Sequence, residues 1–167
     1  MGGVAHRIVE CVMARRQKEL GDFGEDRAAQ LLSARGFAVE KMPKNFPFFD
    51  LMAKQGARRL LVPVKTRSKH TAKGKLKKDP FNLYTKQGHF ESAKKIANFF
   101  GAELMWVAVT VDISAKTYCA YAGDVFKLPS PKRILHPTRD VPGHERLAID
   151  VHDEVILESW SNVAARE

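Results

Sequence analysis

The sequence predicts an α/β domain in which a mixed β-sheet is flanked by helices. Three observations carry this. Residues 4–35 and 85–100 place apolar side chains at helical spacing, and three short strand-like segments lie between them. A nearly continuous apolar run, Leu104 to Val111, then follows the second helix, as suits a strand buried on both faces. At 167 residues and 18.8 kDa the chain has room for one domain or one domain with an appendage, and it can bury a core without staples. Its 44% apolar and 28% charged residues exclude disorder over most of the length, and also a collagen-like or coiled-coil fibre.

The first helix is read over Val4 to Arg35, where Ala28, Leu31 and Leu32 form an i, i+3, i+4 stripe after Glu25. Gly21 and Gly24 are expected to break or kink it, Asp22 to cap its second part, and Gly36 to end it. Three strands follow, over Phe37–Met42, Phe49–Lys54 and Arg58–Thr66, and the last two form an antiparallel hairpin turning at Gly56. Residues 68–82 read as an irregular basic loop. A second helix over Thr85–Phe100 carries Phe90, Ala93, Ala97 and Phe100 on one side and stops at Gly101. Thr117–Tyr121 is a further strand. Prolines 129, 131, 137 and 142 then suggest a long irregular excursion before a last strand-like piece at Val155–Leu157. The expected organisation is an N-terminal helical segment (1–19), a core (20–125) and a Pro-rich C-terminal extension (126–167) packed on it.

No stretch approaches the roughly 18 apolar residues that span a bilayer. The N-terminus lacks a signal-peptide layout, its short apolar part being broken by Glu10, so a cytoplasmic location is expected. Cys11 and Cys119 belong to no C-x-x-C pair and no disulfide framework, and read as reduced thiols. The charge says more. Twenty-eight basic against 19 acidic residues give +9 and a pI near 9.7, which favours a polyanionic partner: DNA, RNA or acidic lipid. Between Lys41 and Lys78 lie twelve lysines and arginines and a single acid, Asp50. Such a run is often no more than a solvated face. An isolated carboxylate in so positive a field is nevertheless well placed to hold a metal or to work beside a phosphate.

Three elements then converge. Glu25 lies in Gly24-Glu25-Asp26-Arg27-Ala28, Asp50 in Phe48-Phe49-Asp50-Leu51, and Lys65 in Val62-Pro63-Val64-Lys65-Thr66-Arg67. A hairpin brings Asp50 and Lys65 to one end of the sheet, where Asp can ligate a divalent ion and Lys can orient a water beside a phosphate. Blander roles stay open: an ion pair of Asp50 with Lys44 or Lys65, and a dipole-favoured acid in an early helical turn for Glu25. Tyr84, Gln87 and His89 face either the site or the surface. Phe46, Phe48 and Phe49 suit a core or a loop anchor better than base stacking. His136, His144 and His152 have no zinc-ligand spacing, phosphate-binding glycine motifs are absent, and Ser92 and Ser159 lack a nucleophile elbow.

Over about residues 20–111 the chain resembles the PD-(D/E)XK nuclease superfamily, and within it the archaeal-type Holliday junction resolvases and related small endonuclease-like proteins. The likeness rests on Gly24-Glu25 and its Ala/Leu helix, Arg35-Gly36-Phe37-Ala38-Val39, Phe49-Asp50-Leu51-Met52-Ala53, Val64-Lys65-Thr66-Arg67, and Phe90–Phe100 followed by Gly101-Ala102-Glu103-Leu104. It implies a restriction-endonuclease-like core in the order helix-strand-strand-strand-helix-strand. It further implies Glu25 and Asp50 as ligands of Mg²⁺ or Mn²⁺, and Lys65 as the group assisting the attacking water. Arg67, Lys69, Lys73, Lys75, Lys77 and Lys78 are then expected to contact DNA phosphates, and a homodimer to present two sites. The second acid of the D/E-x-K motif falls on Pro63, which has no ligating side chain and no backbone donor. Three accounts follow: a metal held by Asp50, Glu25 and the Val64 carbonyl, an acid supplied from elsewhere such as Glu91 or Glu40, or a nuclease fold that holds nucleic acid without cutting it. The expected function is a metal-dependent endonuclease acting on duplex or branched DNA, the alternative a non-cleaving binder of DNA or RNA.

Overall fold

A 33-residue helix, α1 (Gly2–Ala34), opens the computed structural model, which describes residues 2–84, 86–135 and 139–165. Neither Gly21 nor Gly24 interrupts the helix, contrary to the expectation of a break there, and Asp22 therefore lies within it rather than at a cap. Leu20, Phe23, Ala28 and Leu32 on its C-terminal half are buried against the sheet. That burial outweighs the roughly 1 kcal/mol by which each glycine disfavours a helix interior.

Beyond Gly36, three strands form an antiparallel meander: β1 (Ala38–Lys41), β2 (Leu51–Gln55) and β3 (Arg58–Val62), with Gly56 in the β2–β3 turn. The single third strand expected over Arg58–Thr66 is two. β3 stops at Val62, and β4 (Val64–Ser68) resumes after Pro63, because proline offers no N–H to the ladder. The basic stretch folds back on itself through a His70–Leu76 bridge before the two-residue strand β5 (Phe81–Asn82). Helix α2 (His89–Phe100) starts later than expected, with Thr85 outside the described residues. It ends where Gly101, at φ 60, turns its N–H onto the carbonyls of Ala97 and Asn98.

Strand β6 (Glu103–Asp112) runs parallel to both β3 and β4, pairing Leu60 with Glu103 and Val64 with Val107. It is buried without interruption from Trp106 to Val111, as its apolar run implies. β7 (Thr117–Asp124) pairs antiparallel with β6, and the sheet order is β1-β2-β3-β6-β7-β9, with β4 also on β6. A short 3-10 helix (Val125–Lys127) and β8 (Arg133–Ile134), paired with β5, follow.

The long irregular excursion expected after Leu128 is corrected in part by β9 (His144–His152), nine residues paired antiparallel with β7. Only Leu147 and Ala148 of β9 are buried, so an edge strand with no alternation to announce it escaped the pattern. Pro137 and His136 lie outside the described residues. No strand forms at Val155–Leu157, where Ile156 is instead buried in a turn capped by Asp153, and a 3-10 helix (Glu158–Ala165) ends the described chain. The result is the expected mixed α/β class. α1 and the C-terminal segment pack on one face, and α2 with the β5–β8 pair packs on the other.

The C-terminal segment clamps α1. Phe23 lies edge-on to Tyr118 and Trp160 at 5.7 and 5.5 Å, Arg27 pairs with Asp153, and Trp160 donates its indole N–H to Glu19. Arg35 reaches Glu145 and the carbonyls of Arg146 and Leu147 on β9. Because these contacts are half-exposed, Arg35→Ala is expected to lower stability by only about 1 kcal/mol in urea titration. A loss of several kcal/mol would mean that β9 is held chiefly from this point. Among the described residues no helix is long and apolar enough to cross a membrane.

Candidate active site

The break at Pro63 builds the site. Asp50, the residue before β2, lies opposite it, because Leu51 pairs with Val62. Asp50 donates its backbone N–H to the Val62 carbonyl at 3.0 Å, and its Oδ2 accepts the Val64 N–H at 2.7 Å. The carboxylate thus bridges the gap between β3 and β4. The Pro63 carbonyl points the other way and accepts the Val107 N–H at 3.0 Å. In a strand, a residue's N–H and C=O share one edge. The Val64 carbonyl therefore lies on the Asp50 edge, where β4 pairs with no strand among the described residues.

Glu25 reaches this corner because α1 comes unusually close to β4. An alanine Cβ at Gly24 would lie 1.7 Å from the Thr66 Oγ1 and 2.7 Å from its Cβ. Glycine is required there by the crossing itself. The side chains of Glu25 and Asp50 hydrogen-bond to each other. Burial first, then the Asp50 and Asp22 charges, push the Glu25 carboxyl up to about 7, with Lys41 pulling the other way. Burial also raises Asp50, against the opposing pull of the Val64 N–H, the Lys65 charge and the Glu25 hydrogen bond. That shared bond raises Glu25 and lowers Asp50, so Glu25 carries the proton and Asp50 accepts it. Lys41 is itself anchored by Asp26 on α1.

Lys65 is half-buried one residue beyond Val64 and acts electrostatically on Asp50. The three residues singled out from the sequence are therefore brought together at one corner. Arg67 is placed otherwise: it is 7% exposed, with its guanidinium 4.4 Å over the Phe81 ring, away from the open surface expected for a phosphate contact. Lys73, Lys75 and Lys78 are exposed, whereas Lys77 is half-buried and Lys69 pairs with Asp112 at 3.5 Å. Lys69 is five residues past Val64, about 16 Å along a strand. A ligand touching both the carboxylates and the loop must lie along β4.

Phe48, two residues before Asp50, has φ 71, a left-handed conformation rare for a bulky residue. Its ring lies against His89 and Tyr84, at 5.2 and 6.2 Å. The sequence reading missed two features: the left-handed turn at Phe48 that leads into Asp50 and the seat of α1 on Thr66. The unusual Gly24-Glu25 step was the signal available for the second. No cluster of three or more His, Cys, Asp or Glu suited to a metal occurs among the described residues; Glu25 and Asp50 stand as a pair, and neither Glu40 nor Glu91 joins them.

No protein-family model matches the chain, and no curated protein is similar to it. Among solved structures, it is similar to that of Archaeoglobus fulgidus Hjc, a Holliday junction resolvase from an archaeal hyperthermophile. The two are 24% identical over 60% of this chain and 70% of that one, with a TM-score of 0.43. The chain's own topology, an antiparallel β1–β3 meander returning through α2 to a parallel β6, is consistent with the restriction-endonuclease-like core expected from the sequence.

Proposed function

We propose that this protein is a divalent-metal-dependent endonuclease acting on duplex or branched DNA, with Glu25, Asp50 and Lys65 as its catalytic residues. The single observation that carries the reading is the half-buried Glu25–Asp50 pair, two carboxylates held together beside Lys65 in a chain of net charge +9. Two carboxylates that must share a proton are a donor set that a cation would relieve. With the Val64 carbonyl on the same edge they supply three oxygens, which suits Mg²⁺ or Mn²⁺. Mg²⁺ commonly takes one or two carboxylates and completes its shell with waters and substrate phosphate. The donor set therefore fits. Bound there, the metal would supply Lewis-acid polarisation of the phosphate and a more acidic water.

The chain's own groups divide the remaining work. Asp50 is fixed by the Val64 N–H and presents its carboxylate without rotating. Glu25 carries a proton that it can release near neutral pH. Lys65 offers positive charge to the phosphoryl oxygens as the transition state forms. Lys69, Lys73, Lys75, Lys77 and Lys78 hold the backbone farther along β4, Arg67 serving instead to fix the strand beneath them. A homodimer is part of the reading, with Val4, Ile8, Val9 and Val12, exposed on α1, available to it.

A second reading, a nuclease-type fold that binds DNA or RNA without cutting, is favoured by one observation: Pro63 stands where the motif acid would stand. The test is a cleavage assay on duplex and four-way-junction DNA with Mg²⁺ or Mn²⁺, comparing the wild type with Asp50→Ala. Cleavage reduced at least about a hundredfold in the variant is the expected outcome. Wild-type protein that binds these DNAs without metal and leaves them intact would replace the first reading with the second. Competition of DNA against RNA over a salt series then separates the two polymers.

A further inference from the structure

Residues 69–77, expected as part of an irregular loop, form an ordered ribbon. The Lys69 N–H donates to the Val111 carbonyl at 2.7 Å, which carries the pairing with β6 one residue past β4. The chain then reverses. On either side of the His70–Leu76 bridge, the Lys77 N–H donates to the Lys69 carbonyl at 2.9 Å and the Thr71 N–H to the Lys75 carbonyl at 2.7 Å. At the tip the Gly74 N–H donates to the Thr71 carbonyl at 2.9 Å, and the Thr71 Oγ1 accepts the Lys75 N–H at 3.1 Å. The result is a short antiparallel hairpin anchored at its base to the sheet.

No acid lies between Lys69 and Lys78. Alternation places Lys69, Thr71, Lys75 and Lys77 on one face of the ribbon, and His70 and Leu76 on the other. Lys73 and Lys75 are exposed, and Leu76 is 50% exposed. Lysines that met phosphates alone would need neither a fixed backbone nor an apolar side chain among them. The major groove of B-form DNA, about 12 Å wide, admits a two-stranded ribbon, whereas the minor groove, about 6 Å wide, does not. Its floor carries thymine methyl groups, an apolar partner for Leu76, and its walls are phosphates, which suit the lysines. Lys73 is nine residues past Val64, at most about 30 Å along the chain and under one helical turn of DNA, so one duplex can meet both the ribbon and the carboxylate corner.

We infer that residues 69–77 are a β-ribbon that docks in the major groove of B-form duplex DNA. The inference rests on the proposed reading of the protein as one that binds DNA. It adds a choice of groove and of polymer, because the major groove of A-form RNA is too narrow for side chains to read. Fluorescence anisotropy in excess Ca²⁺ tests it, on one duplex sequence in four forms: plain DNA, DNA whose cytosines are replaced by glucosylated 5-hydroxymethylcytosine, DNA saturated with distamycin, and RNA. The sugars fill the major groove and distamycin fills the minor. The proteins are the wild type, Gly74→Val and the double variant Lys73→Ala/Lys75→Ala, each checked for stability in urea. Gly74 has φ 78 and nothing within 4 Å of an added Cβ, so valine there strains the turn without a clash and keeps every lysine.

Glucosylation should weaken wild-type binding about tenfold, to the level of Gly74→Val on plain DNA, and should leave both variants unaffected. The advantage of the wild type over Gly74→Val should survive distamycin and vanish on RNA, and the double variant should lower the salt slope by about 2. Wild-type binding that ignores glucosylation, with the double variant still weakened, would overturn the inference by making the lysines phosphate contacts only, and would leave the DNA-binding reading intact. Gly74→Val that binds plain DNA as the wild type does, or a wild-type advantage abolished by distamycin, would overturn it in the same way. Wild-type protein that binds no form of the DNA would remove the reading and the inference together.

Discussion

Gly24→Ala is expected to destabilise the protein by about 3 kcal/mol, although on helix propensity alone it should stabilise by about 1 kcal/mol. The added methyl meets Thr66 Oγ1 at 1.7 Å, Cγ2 at 2.8 Å and Cβ at 2.7 Å. Rotating the threonine can move the first two atoms. It cannot move its Cβ, which β4 fixes through pairing with β6. The relief available is for α1 to lift, and that carries Glu25 away from Asp50. Urea titration of Gly24→Ala, Thr66→Ala and the double variant checks this. The double variant should recover part of the loss but not all, because the Thr66 Cβ remains after truncation. A Gly24→Ala protein as stable as the wild type would show that α1 can lift off β4 at little cost.

The second large effect concerns the Glu25 proton. The folded-state pKa of about 7 lies above the ordinary 4.5, so between those values the folded chain binds more protons than the unfolded one. Stability from this group is fully present below pH 4.5, declines as pH rises, and is lost above about 7. Asp50, also raised, acts in the same direction. In EDTA the wild type should therefore be less stable at pH 8 than at pH 5 by on the order of 2 kcal/mol, after allowance for the partial exposure of Glu25. Glu25→Gln keeps the hydrogen bond to Asp50 without the second charge. Its stability should be nearly flat across that range and exceed the wild type's at pH 8. A wild type that gains stability from pH 5 to 8 while Glu25→Gln stays flat would show that the two carboxylates do not share a proton.

The positions of these residues were partly legible from the sequence. The acid in the poor company of twelve cations drew attention to Asp50, and the Gly56 turn was enough to bring Lys65 to its end of the hairpin. What Asp50 does there was not legible. Its bond to the Val64 N–H exists because Pro63 breaks the strand, so a residue with no ligating side chain is at the same time the reason a backbone donor faces the carboxylate. Arg67 illustrates the converse. Counted with its neighbours it belongs to a basic run, yet packing on Phe81 buries it, and of the lysines that follow it Lys73, Lys75 and Lys78 are the exposed ones.

By itself the sequence determined the features that depend on near neighbours. The helical stripes, the turn at Gly56, the stop at Gly101 and the doubly buried β6 all follow from periodicity or backbone preference within a few residues. The concentration of positive charge is equally a property of the chain alone. Contacts between distant residues decided the rest. α1 stays whole at Gly24 because Thr66 receives it, β9 forms because β7 offers an open edge, and Tyr84 is buried because Phe48 and Phe90 close around its ring. Each of these joins segments that a local pattern cannot relate, because the energy that settles them is burial and close packing between elements rather than the preference of any one residue.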